Sequence, residues 1–147
     1  MVMKIRKRIL IMSLTLLAGF TCSAGAVTKG MKKVIDDALD FSVKQSMSMF
    51  NEMKDQKGIL PRTAENGKMI TCESAWWTSG FYPGTLWYCY EYSNDPQIRA
   101  AAEEMTSRVE QQKYTTSNHD VGFIINCSFG NGYRLTHNET YRKVIET

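Results

Sequence analysis

The chain has 147 residues, 43% hydrophobic and 22% charged, with Lys+Arg 18 against Asp+Glu 15 and a net charge of +3. That length allows one domain at most, and the balance is that of a globular chain. A multidomain enzyme, a disordered segment, a collagen, a disulfide-dense mini-protein and a polytopic membrane protein are excluded.

The charge is uneven. Lys4, Arg6, Lys7 and Arg8 open the chain, and no acid precedes Asp36. Without that head the chain is near neutral and slightly acidic, so a basic nucleic-acid footprint is not supported. Met1 to Arg8 reads as a positive leader, Ile9 to Phe20 as its apolar run and Ala24-Gly25-Ala26 as a small-residue cleavage site. Residues 1–26 are therefore expected to be a secretory signal peptide, with the mature chain starting near Val27 and exported to the periplasm. The apolar run, about twelve residues, is too short to span a bilayer comfortably. A lipid-modified Cys22 is the alternative, but Gly19-Phe20-Thr21 makes a poor lipobox.

Thr28 to Met53 predicts a helix. Met31, Val34, Ile35, Ala38, Leu39, Val43, Met47, Phe50 and Met53 recur at helical spacing, with Asp36, Asp37, Lys44 and Glu52 between them. Asp55 to Gly67 reads as a loop punctuated by Gly58, Pro61 and Gly67. Met69 to Thr78 reads as irregular and aromatic, and Phe81 to Tyr92 as a helix with Pro83 in its first turn. Asp95 and Pro96 read as N-cap and first helical residue of a helix running to about Lys113. One stripe of it is Ile98, Ala101, Ala102, Met105 and Val109; the other, Arg99, Glu103, Glu104, Arg108 and Glu110, is expected to be half-solvated. Asp120 to about Tyr133 predicts a mostly apolar helix, and Asn138 caps a further one.

Amphipathic helices thus alternate with apolar ones, and the apolar pair starts roughly 39 residues apart, as in a repeat of helical hairpins. An apolar helix must be covered on both sides. The expected fold class is all-α, an incomplete (α/α)6 barrel of about two and a half outer–inner hairpins. The last helix lacks a partner, which suggests a piece of a longer protein or a degenerate paralogue. Cys72, Cys89 and Cys127 allow at most one disulfide, form no Cys-x-x-Cys, and are expected as semi-buried thiols on helices. No zinc-ligand spacing is present.

Two segments carry chemistry. The first is Trp76-Trp77-Thr78-Ser79-Gly80-Phe81-Tyr82-Pro83-Gly84-Thr85-Leu86-Trp87-Tyr88. Indole faces suit the apolar faces of sugar rings, and Gly80 and Gly84 permit close backbone approach. Core packing competes with ligand stacking for these aromatics. Trp76 and Trp77, ahead of the helix, are the better ligand candidates; Trp87 and Tyr88 the better core candidates. The second is Asn118-His119-Asp120-Val121-Gly122-Phe123, continuing to Ser128-Phe129-Gly130-Asn131-Gly132-Tyr133-Arg134. Asp120 opens an apolar helix, where desolvation raises and the helix N-terminus lowers its pKa. It is a candidate proton donor or a simple cap. On an ideal wheel Asp120, Cys127, Asn131 and Arg134 share a face; Arg134 is a candidate carboxylate binder.

The ordered set W-T-S-G-F-Y-P-G-T-L-W-Y, H-D-V-G-F and C-S-F-G-N-G-Y-R-L-T resembles the unsaturated glucuronyl hydrolases, glycoside hydrolase family 88, across nearly all of the mature chain. The resemblance implies an (α/α)6 barrel with its active site at the N-terminal ends of inner helices. It implies removal of the 4,5-unsaturated uronic acid that polysaccharide lyases leave on oligosaccharides, glycosaminoglycan-derived ones in the first place. An acid protonates the vinyl ether, water adds at C5, and the hemiketal opens, with no metal or organic cofactor. Asp120 matches one of the family's two essential aspartates. Trp77, or Trp76 with the register one residue different, matches the tryptophan beside the unsaturated ring. His119 and Arg134 are the further candidate substrate-binding residues. The principal acid/base aspartate lies beyond Thr147 in the family's pattern, so residues 27–147 correspond to the N-terminal part of a catalytic domain.

The resulting expectation is a hydrolase of unsaturated uronyl oligosaccharides, weak or inactive as this chain alone. An unsaturated rhamnogalacturonyl hydrolase, a non-catalytic saccharide-binding remnant and a plain helical scaffold are the alternatives. An open flank would leave Trp87, Phe123, Ile124 and Phe129 in an exposed apolar patch, and the chain marginal, oligomeric or prone to aggregate.

Overall fold

The computed structural model describes residues 28–147. The expected signal peptide and Cys22 lie outside the described residues. Two compact units divide the chain at Val34/Ile35. Helix α1 (Lys29–Met53) begins in the first, and everything else described belongs to the second.

A β-hairpin follows, where a loop was expected. Strand β1 (Ile59–Glu65) pairs antiparallel with β2 (Lys68–Glu73). Asn66 and Gly67 both take positive φ, 51° and 74°, which makes the two-residue turn whose twist matches the strands. Pro61 sits at an irregularity in the register, between Pro61 and Thr63, so the missing N–H disrupts one point of the ladder and not the pairing as a whole.

Helix α2 (Phe81–Ser93) ends on Asn94 in the left-handed region. Helix α3 (Pro96–Ser107) starts as expected, with the Asp95 carboxylate accepting the Gln97 N–H at 2.8 Å. It is shorter than its apolar stripe suggested, because the chain tightens into a 3-10 turn over Glu110–Tyr114. The second apolar helix runs as α4 (Val121–Ile125), a π-turn (Asn126–Gly130) and α5 (Asn131–Thr136). Asn138 caps α6 (Glu139–Ile145), its side chain accepting the Thr140 N–H at 2.9 Å. Outer α1 with inner α2, outer α3 with the inner run α4–α5, and a half pair opened by α6 give the two and a half hairpins.

Burial holds these pairs together. One cluster gathers Met53 of α1, Tyr82, Leu86 and Trp87 of α2, and Ala101, Ala102 and Met105 of α3. A second joins Leu60 of β1 to Val109, Ile124, Ile125, Phe129 and Val144. Buried polar groups find partners across helices. Tyr82 donates to the Ser46 carbonyl at 2.7 Å, and the Trp87 indole N–H to the Thr106 hydroxyl at 2.9 Å. The Arg108 guanidinium reaches the carbonyls of Lys54, Gln56 and Ile59 at 2.8–3.0 Å and the Glu104 carboxylate at 2.6 Å. Its side chain is 7% exposed. Arg108, read as part of a half-solvated face, is thus nearly enclosed and satisfies carbonyls along the segment from the end of α1 to the start of β1.

The expected apolar patch is also corrected. Trp87, Ile124 and Phe129 are buried, and Phe123 alone of the four is open, at 52%. Conversely Tyr88, read as core, is exposed because α2 turns that face away from both clusters. The three thiols are free, and Cys72 sits on β2 instead of a helix.

Candidate active site

Trp76 and Trp77 stand in the turn between β2 and α2. The Ser79 hydroxyl donates to the Ser74 carbonyl at 2.7 Å, and the Gln112 amide to the Ser74 hydroxyl at 2.8 Å. Ser79 is fully buried, so the turn is anchored while both indoles remain partly open, Trp76 at 37% and Trp77 at 43%. They differ in what they offer. The Arg62 guanidinium lies 3.9 Å from the Trp76 ring centroid and covers one face of it. Trp77 instead meets Phe81 edge to face, centroids 5.7 Å apart, and Phe81 meets Phe123 in the same way at 6.3 Å. Phe81 and Phe123 are exposed as well. Three rings from two helices and the preceding turn thus form one open aromatic strip.

The Phe123 N–H donates to the Asp120 carbonyl at 2.9 Å, one turn into α4. Asp120 occupies the N-cap position, yet its carboxylate accepts no capping hydrogen bond, because its backbone is already helical (φ −74°, ψ −6°). The Asn118 side chain performs the local turn instead, accepting the Asp120 N–H at 2.9 Å. The Asp120 side chain is 27% exposed, and one carboxylate oxygen lies 3.3 Å from His119 Nε2, whose ring is almost wholly in solvent. The capping alternative for Asp120 is removed, and its carboxylate lies against His119 instead.

Arg134 stands elsewhere. It lies at the far end of the same helical run, roughly 20 Å along the axis from Asp120 at the usual rise. Both of its terminal nitrogens meet the Glu91 carboxylate at 2.7 Å. The π-turn between them adds a residue to one turn and rotates all that follows, so the shared face drawn on an ideal wheel does not hold. The structure therefore sets His119 against Asp120 and joins Trp77, Phe81 and Phe123 in one strip, with Asp120 three residues before Phe123. Arg134 is not among them, and Trp76 lies beside the group under Arg62. Phe123 was expected in an exposed patch and is exposed, whereas the outward direction of Phe81 was not foreseen from the sequence.

A cleft of about 620 Å³ lies between α1, the hairpin and the start of α2, with Phe81 on its wall; Asp120 and Trp77 do not line it. Among the described residues no group of three or more His, Cys, Asp and Glu side chains is placed to hold a metal ion. Burial pushes the Cys127 thiol up from its ordinary pKa, and also the Cys72 thiol, where nearby Arg62 partly offsets it.

The helix order fits an incomplete (α/α)6 barrel. No family model matches the chain. It is 43% identical over 70 residues to the unsaturated glucuronyl hydrolase of Formosa agariphila, covering 47% of this chain and 18% of that protein. To the enzyme of the same name from Bacillus sp. strain GL1 it is 30% identical over 82 residues, 54% of this chain and 22% of the other. Among solved structures, an unsaturated glucuronyl hydrolase specific for heparin superposes with a TM-score of 0.65 at 36% identity, covering 76% of this chain and 31% of that one. The chain spans about a fifth of the curated relatives' length, and over that part it is similar to unsaturated glucuronyl hydrolases in sequence and in fold.

Proposed function

We propose that the chain is part of the catalytic domain of a glycoside hydrolase that hydrates the 4,5 double bond of a non-reducing-end unsaturated glucuronic acid. The observation that carries the reading is the Asp120 carboxylate. It is partly buried, unused for capping, and carried by the residue three before Phe123, the last ring of the Trp77–Phe81–Phe123 strip. The aromatic strip offers apolar faces to a pyranose, and Trp77 with its open face is the stacking residue.

In this reading Asp120 is one acid of a pair. It positions or protonates at C4 of the vinyl ether; water then adds at C5, and the hemiketal opens to release the remaining sugar. His119, 3.3 Å away, orients the carboxylate or holds the substrate's own carboxylate when protonated. Arg134 is left to Glu91. The substrate class is glycosaminoglycan-derived. That choice is supported by relatives such as the unsaturated chondroitin disaccharide hydrolase of Streptococcus pyogenes, 33% identical over 94 residues, 61% of this chain and 23% of that protein. Export through residues 1–26 would put the chain in the periplasm, where lyase products arrive.

A lone acid lacks its partner, so the chain by itself binds an unsaturated disaccharide but turns it over little or not at all. The test is the loss of ultraviolet absorbance from an unsaturated chondroitin disaccharide, run beside a binding titration followed by tryptophan fluorescence. Binding without turnover is expected. Turnover near that of a complete relative would overturn the inactivity, and no binding would overturn the site.

A further inference from the structure

Gly80 and Gly84 mark where α2 crosses the second inner helix. A Cβ on Gly80 would fall on the Ile124 backbone, within 2.6 Å of its Cα and 2.7 Å of its carbonyl carbon and closer still to its oxygen. A Cβ on Gly84 would stand 2.6 Å from the Cys127 carbonyl oxygen, in the π-turn. Both obstacles are main chain, so no side-chain rotation relieves them. The Ile124 carbonyl is fixed from its other side by the Ser128 hydroxyl, which donates to it at 2.6 Å. The Cys127 carbonyl accepts the Asn131 amide at 3.0 Å.

This crossing sits between the two halves of the site. Gly80 follows Trp77 by three residues and directly precedes Phe81; Ile124 follows Asp120 by one turn and directly succeeds Phe123. We infer that Gly80 is a positioning residue for the Asp120 site: its missing side chain sets how closely the Trp77–Phe81 limb approaches the Asp120–Phe123 limb. The inference rests on the proposed function for what the site binds, but the spacing it describes can be read without any ligand.

The third tight glycine gives the contrast. A Cβ on Gly132 would meet the Tyr141 ring at 2.7 Å and the Trp87 ring at 3.0 Å, both side chains of the core and remote from Asp120. Gly80→Ala and Gly132→Ala should both lower stability, for different reasons and with different consequences. Two measurements at a temperature where each variant is folded separate them. One is the nuclear Overhauser contact between the Phe81 and Phe123 rings; the other is the affinity for an unsaturated chondroitin disaccharide. In Gly80→Ala the ring contact should fade and affinity should fall on the order of tenfold or more, since a displacement of about 1 Å is costly for an oriented site. In Gly132→Ala both should stay near wild type, and Tyr141→Leu should recover part of its stability. Ile124→Ala should recover nothing in Gly80→Ala, because the obstacle is backbone.

If Gly80→Ala does not fold, Gly84→Ala displaces the same crossing one turn later and should give the same fading. A folded variant of either kind with ring contact and affinity intact would overturn the inference. If the wild-type chain binds no disaccharide, the functional reading fails and the ring contact alone decides the positioning role.

Discussion

Arg134 and Glu91 form a two-pronged ion pair that bridges α5 and α2, with each guanidinium nitrogen 2.7 Å from its own carboxylate oxygen. The planar fork suits that carboxylate and leaves Arg134 engaged. The Arg134 hydrogen bonds, with its charge, hold the Glu91 carboxyl below its ordinary 4.5. A lowered value in the folded state means that the pair contributes above the ordinary carboxylate value and fades as pH falls through the lower native one. A carboxyl-detected titration should place Glu91 below 4.5, and Arg134→Ala should return it towards that value. Disaccharide affinity in Arg134→Ala should change less than about threefold. A loss as large as that from Trp77→Ala would place Arg134 in the site after all.

Replacing Asp120 by Asn keeps the shape of the side chain. The carboxylate makes no capping bond, so stability should move by less than about 0.5 kcal/mol. In a version of the protein extended to carry both acids and shown to be active, the same change should nearly abolish turnover. Surviving turnover with an intact circular dichroism spectrum would remove Asp120 from the chemistry.

Arg108 makes a prediction about folding alone. Its guanidinium serves several carbonyls at the end of α1 and the entry to β1, and its side chain is nearly enclosed. Arg108→Met strips those carbonyls of their donor, and a loss of about 3 kcal/mol is expected from urea unfolding. Arg99→Met, from an exposed pair with Glu103 on the same helix, should cost less than about 1 kcal/mol.

The Cys72 and Cys127 thiols are raised from their ordinary 9.0 by burial. At pH 8 they hold less thiolate than unfolded cysteine, so alkylation by iodoacetamide should be slower in the folded chain than in urea. Folded thiols keep protons that unfolded ones release. Their contribution to stability is therefore whole below 9.0 and is lost as pH rises through the higher native values. Equal labelling rates in both states would contradict the burial.

The helices were legible because their signals are local. Asp95-Pro96 and Asn138 start helices by chemistry that needs no neighbour, and the α1 stripe shows its period in the sequence. The hairpin was hidden behind its own punctuation: Pro61 and Gly67 read as loop residues, although Asn66-Gly67 is the pair that a tight hairpin turn favours. The π-turn over Asn126–Gly130 has no such mark. Arg108 and Tyr88 depend on what stands opposite them, and a helical wheel is silent on that. At the site the acid and the indoles were legible by type, and so was the exposure of Phe123, while the absence of a capping bond from Asp120 and the outward turn of Phe81 came only with the backbone.

Strand β1 places consecutive side chains on opposite faces. Ile59 packs against the cluster built by α1, α2 and α3, while Leu60 is fully enclosed in the one that contains Val109, Ile124 and Phe129. Two neighbouring residues thereby rivet successive layers, and neither layer can melt without dragging the other's anchor into water. Heat or urea should meet a single all-or-none transition across residues 35–147, where a string of independent hairpins would peel away one by one.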